Sequence, residues 1–124
     1  MRMMNRKALI YGIEPELAAD LAGVLGQLSV SSRESDSGGK IEWPQAEADV
    51  VFTSAEPEWV REVIREVRQN RPELPVIVVS RKPEASYWID SLEAGADDYC
   101  CAPFETVSLR WILEANLGRE RQAA

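Results

Sequence analysis

The chain contains no histidine. That absence excludes His-based triads, imidazole metal ligands and phosphohistidine chemistry together. Cysteine is confined to Cys100 and Cys101. Adjacent α-carbons lie ~3.8 Å apart, below the usual ~4.4 Å minimum of a disulfide, and on a strand the two side chains point to opposite faces. Zinc would lack ligands, so the pair reads as two small buried apolar side chains. Long apolar runs are also missing: Val76 to Val79 is far too short to span a bilayer. The N-terminal MRMMNRKALIYGIEPE is positively charged, but Glu14 and Pro15 interrupt any signal-type apolar core. The expectation is a soluble, cytoplasmic protein with no membrane partner. Positive charge is in the minority, 14 basic against 21 acidic residues for a net charge of −7, so the domain repels phosphate backbones and should bind no nucleic acid by itself. The seven glycines form neither a Walker-type loop nor a GxGxxG, and no internal repeat is present.

What is present is an alternation. A chain of 124 residues, 45% hydrophobic and 28% charged, suits one globular domain that buries roughly two thirds of its unfolded surface. Lys7 to Tyr11 is an apolar strand ending at Gly12, followed by a helix with Leu17, Leu21, Val24, Leu25 and Leu28 at helical spacing. Ser29 to Arg33 has only Val30 to support a second strand, and ESDSGGKIEWPQAE after it is broken by Gly, Ser and Pro44, so a second helix there should be short or irregular. Asp49 to Ser54 (DVVFTS) is a strand, and Pro57 then starts a helix with Val60, Val63, Ile64 and Val67 on one face. Leu74 to Ser80 (LPVIVVS) reads as a parallel strand covered on both faces, followed by a helix over about 84–94 with Gly95 at its C-cap. Asp98 to Ala102 makes the last strand and Phe104 to Leu117 the last helix, with Leu109, Ile112, Leu113 and Leu117 inward. Residues 1–118 then form the domain, and the polar 119–124 a tail or the start of a linker.

Strand and helix alternating about five times predict an α/β doubly wound parallel sheet, with the site at the carboxyl ends of the central strands. The residues there are Gly12 and Ile13, Thr53 and Ser54, Ser80 and Arg81, and Cys101 and Ala102. Asp97 and Asp98 fall at the opposite end and read as solvated turn residues. Trp43 and Trp59 read as packing residues. Trp88, Val107 and Trp111 fall outside the inward stripes and would form an exposed partner surface.

Ser80 to Phe104, SRKPEASYWIDSLEAGADDYCCAPF, resembles the fourth strand through fifth strand of response-regulator receiver (CheY-like) domains in the spacing of every landmark. LPVIVV and ADVVF match as well. The resemblance implies a flavodoxin-like five-stranded sheet of order 2-1-3-4-5. It also implies where an active site would stand. Two acids that hold Mg²⁺ are expected at Gly12 and Ile13, the phosphoryl-accepting Asp at Ser54, and the phosphate-pairing Lys at Ala102; Glu14 falls one residue late for a main metal ligand. Phosphoryl transfer to a carboxylate needs an anionic nucleophile, a cation held by hard oxygens and a balancing positive charge. The resemblance therefore implies a degenerate member, not an enzyme, with Mg²⁺ binding lost and no cofactor. The readout residues of the family match at Ser80 and Tyr99. They imply a protein partner or homodimer through the helix-4/strand-5/helix-5 face, with Trp88, Tyr99, Val107 and Trp111 as contacts. Two alternatives are a phosphorelay receiver using Ser54 or Thr53 as an unusual acceptor, and a flavodoxin-like binder of a cofactor or nucleotide.

Overall fold

A computed structural model describes residues 6–35, 48–81 and 85–123. In chain order these form β1 (Arg6–Tyr11), α1 (Pro15–Gln27), β2 (Val30–Ser35), β3 (Val50–Ser54), α2 (Pro57–Asn70), β4 (Val76–Ser80), α3 (Ala85–Glu93), β5 (Asp98–Cys101) and α4 (Thr106–Ala123). The expected irregular second helix and Trp43 lie outside the described residues. The helices expected as fourth and fifth are accordingly α3 and α4.

All strand pairs are parallel, in the order β2-β1-β3-β4-β5. Parallel order follows from the crossovers: β1, β3 and β4 each hand the chain to a helix that must return over one face before the next strand can pair. Alternation along the central strands divides the core in two. Ala8, Ile10, Val50, Phe52, Ile77 and Val79 face α1 and α4, whose Leu21, Leu25, Leu109 and Leu113 are fully buried. Leu9, Tyr11, Val51, Val76 and Val78 face α2, through Val60, Val63, Ile64 and Val67. Each such leucine contributes about 1.5–3 kcal/mol by leaving water.

Local chemistry places the turns. Pro15 and Pro57 stand in the first turns of α1 and α2, where the missing N–H costs nothing. Gly12 takes φ 71° as β1 turns into α1, a conformation that glycine adopts without steric strain. β2 is six residues long although only Val30 carries a sequence signal; its pairing from Arg6↔Val30 to Tyr11↔Ser35 extends it along the length of β1. At the other end, the polar stretch expected as a tail from residue 119 continues α4 through Ala123. Its Arg, Glu, Gln and Ala residues are good helix formers and nothing after Gly118 breaks the helix.

Candidate functional site

Because the strands run parallel and in near register, their carboxyl ends finish together: Tyr11 pairs with Thr53, Ser54 with Val79, and Ser80 with Cys101. The loops leaving β1, β3 and β4 enclose an open cleft of about 520 Å³ lined by Gly12, Ile13, Ser54, Ala55, Ser80 and Arg81, together with Glu14, Leu17, Glu56 and Val79. The sequence positions expected at a site thus meet, with exceptions. Ala102 does not line the cleft; it packs against the core on the α1 and α4 side. Thr53 is also absent from the cleft wall.

Thr53, one of the two acceptors of the phosphorelay alternative, faces inward. It is wholly buried, with its hydroxyl donating to the Tyr11 carbonyl at 2.8 Å and accepting from Trp59 Nε1 at 2.6 Å. A hydroxyl so engaged and shielded from solvent is not placed to accept a phosphoryl group. Ser54 points the other way on the strand and remains at the cleft, where its Oγ accepts from the Glu56 N–H at 3.4 Å. No described contact pairs Ser54 with a proton-accepting carboxylate or imidazole.

Charge in the cleft comes from residues outside the motif positions. Arg81 Nε donates to Glu14 Oε1, and Arg81 Nη2 lies 3.8 Å from Glu16 Oε2. The end of β4 is thereby tied to the first turn of α1. Position gave a signal, since Arg81 directly follows Ser80, but the pairing spans 67 residues and no spacing rule reveals it. The acids that line the cleft are Glu14, already engaged with Arg81, and Glu56. Among the described residues no group of three or more Cys, Asp or Glu is placed to hold a metal ion. Mg²⁺ keeps several waters and is held through one or two carboxylates. At the positions where the resemblance expects them, Gly12, Ile13 and Ser54, no carboxylate is present, so these residues do not fit the ion.

The readout positions share one face. Ser80 has the parity of Val76 and Val78 on β4, and Tyr99, paired with Val78, packs partly buried against the same cluster on the α2 side. On the outer surface Val107 and Trp111 are 61% and 70% exposed. At spacing i, i+4 they share a side of α4. Ile89 and Leu92 add exposed apolar surface on α3. The Trp88 side chain lies outside the described residues.

The cysteines and the acid pair each depart from expectation in part. Cys100 is buried and free, and burial pushes its thiol up to about 12; Cys101 is also free but only half-buried, because β5 lies at the sheet edge. Asp97 and Asp98 are not merely solvated. Asp97 Oδ2 accepts from Arg68 Nη2 at 2.9 Å and from the Val76 N–H at 2.8 Å, and Asp98 Oδ2 accepts from Asn116 Nδ2 at 3.2 Å. They tie α2 and α4 to the sheet at the end away from the cleft. Among the described residues no helix is long and apolar enough to cross a membrane.

Comparison with known proteins agrees with this geometry. No family model matches the chain. The transcriptional regulatory protein QseB of Escherichia coli O157:H7 is 32% identical over 59 residues, covering 48% of this chain and 27% of that protein. QseB of Haemophilus influenzae is 31% identical over 58 residues, or 47% and 26%. The match thus spans roughly a quarter of the length of these relatives. Among solved structures, NtrX from Brucella abortus in complex with ATP superposes with TM-score 0.80 at 19% identity, covering 97% of this chain and 28% of that one. A response regulator from Thermotoga maritima gives 0.74 at 20% identity, with coverage of 93% and 99%. A CheY-like receiver domain protein from Methanospirillum hungatei gives 0.73 at 16%, with coverage of 96% and 98%. In fold, the chain has the five-stranded, flavodoxin-like topology of the CheY-like receiver domains on which it superposes.

Proposed function

We propose that this chain is a receiver-type module of two-component signalling that acts by protein contact without aspartyl phosphorylation, as a non-enzymatic cytoplasmic domain. One observation carries the reading. Where the resemblance expects the acids of the site, at the carboxyl ends of β1 and β3, the cleft is lined by Gly12, Ile13 and Ser54, none of them a carboxylate, and its acids, Glu14 and Glu56, lie one and two residues beyond those positions. The cation at the cleft mouth, Arg81, is engaged with Glu14. The absence of a carboxylate at residue 54 and of acids at residues 12 and 13 supports the reading, because transfer to an aspartyl group needs that carboxylate as nucleophile and Mg²⁺ held beside it. The surface of α3, β5 and α4, with Ile89 exposed on α3 and Val107 and Trp111 exposed on α4, supports a contact with a protein partner or a second copy.

Intact-mass measurement after incubation with acetyl phosphate and Mg²⁺ tests the central claim. The expected spectrum shows no added phosphoryl group. A phosphoryl adduct on most molecules overturns it, and loss of that adduct in Ser54→Ala would establish Ser54 as the acceptor, the second reading that its place in the cleft supports.

A further inference from the structure

Trp59 stands in the first turn of α2, yet its indole reaches back over the end of β1. Nε1 donates to Thr53 Oγ1 at 2.6 Å, and Thr53 in turn donates to the Tyr11 carbonyl at 2.8 Å. The indole packs on the Tyr11 ring with centroids 5.1 Å apart. Beneath it lies Gly12: a Cβ built there would sit 2.5 Å from Trp59 Cε2 and 2.6 Å from Nε1, where real Cβ atoms essentially never come below 3.0 Å. The indole therefore holds the space that any side chain at residue 12 would need.

We propose that Trp59 is an internal plug at residue 12, a neutral side chain that takes the volume a metal-binding side chain at that position would need and ties α2 to β1 through Thr53. On the far side Arg81 and Glu14 tie β4 to α1. The loops after β1, β3 and β4 are thus held by protein groups alone, with no ion required to bring them together. This rests on the reading of the cleft as inactive and adds to it: residue 12 lacks a carboxylate and is also blocked by volume. Restoring carboxylates is then insufficient to restore cation binding.

Two measurements test it. The first compares Mn²⁺ binding, by titration calorimetry, in a chain carrying Gly12→Asp, Ile13→Asp and Ser54→Asp with the same chain carrying Trp59→Ala in addition. Removal of the indole should tighten binding by at least about tenfold, the scale on which supporting groups alter metal sites. Equal affinity, or no binding in either folded variant, overturns the proposal. The second needs no restored site. Gly12→Ala carries a positive-φ strain in every background, but the three nearest atoms that its Cβ meets all belong to Trp59. It should lower the urea midpoint of the unaltered chain more than that of Trp59→Ala, and equal losses overturn the proposal even if the acidic variants fail to fold. Phosphodonor labelling of the unaltered chain changes neither comparison, so failure of the inactive-cleft reading and failure of the closure remain distinguishable.

Discussion

Arg68 and Asp97 form a 2.9 Å ion pair that joins α2 to the residue before β5 across 29 positions of sequence. The same carboxylate oxygen accepts the Val76 N–H at 2.8 Å, and Arg68 Nη1 also donates to the Leu74 carbonyl at 2.8 Å. Asp97→Ala would strip a partner from a partly buried guanidinium and from the first N–H of β4. We expect a loss of about 1–3 kcal/mol in urea unfolding, with Asp97→Asn milder. A loss near zero for Asp97→Ala would show that water replaces the carboxylate without cost.

The Arg81–Glu14 pair should behave differently. Its side chains are 46% and 55% exposed, so water and salt screen the attraction. Arg81→Ala should cost less than about 1 kcal/mol. A loss of several kcal/mol in low-salt denaturation would place this pair among the main supports of the fold.

Cys100 gives a pH dependence whose sign is fixed. Burial raises its thiol from the ordinary 9.0 to about 12. The folded chain thus keeps a proton that the unfolded chain releases between these values. Its stabilising effect is fully present below pH 9 and is lost as pH rises toward 12. Cys100→Ala should flatten the fall of the urea midpoint between about pH 9 and 11. An unchanged slope would rule out this thiol as its source. At neutral pH a bulky disulfide reagent should modify Cys101 before Cys100, and tryptic mapping of the labelled chain reads the order.

Trp111 is exposed enough that its removal should leave folding almost untouched, within about 0.5 kcal/mol. If α3, β5 and α4 form the partner face, Trp111→Ala combined with Val107→Ala weakens self-association or partner capture while the melting curve stays in place. Unchanged sedimentation and pull-down would move the contact elsewhere.

Much of this was legible from runs of residues. DVVFTS and LPVIVVS announce buried parallel strands because their β-branched residues are apolar on both sides, and the strand order follows from the alternation and from the resemblance of residues 80–104. β2 was faint because VSSRES owes its strand to pairing with β1 instead of to its own apolar content. That Gly12, Ile13, Ser54 and Ala102 stand where the resemblance expects acids and a lysine could be read from single residues. The groups that fill the gap could not: Trp59 looks like any amphipathic-helix aromatic until the turn at Gly12 brings β1 beneath it, and Glu14 becomes a partner only when β4 delivers Arg81. Asp97 and Asp98 looked like turn residues because the sequence does not show Arg68 and Asn116 arriving beside them.

The packing of Trp59 over Gly12 also acts as a ratchet. With the indole in place, a carboxylate introduced at residue 12 collides with it before it can coordinate anything. Removing the indole first surrenders the Thr53 bond and the Tyr11 stacking without creating a metal ligand. Point mutation would therefore change the exposed faces of this scaffold far more readily than it would build a metal ligand at residue 12.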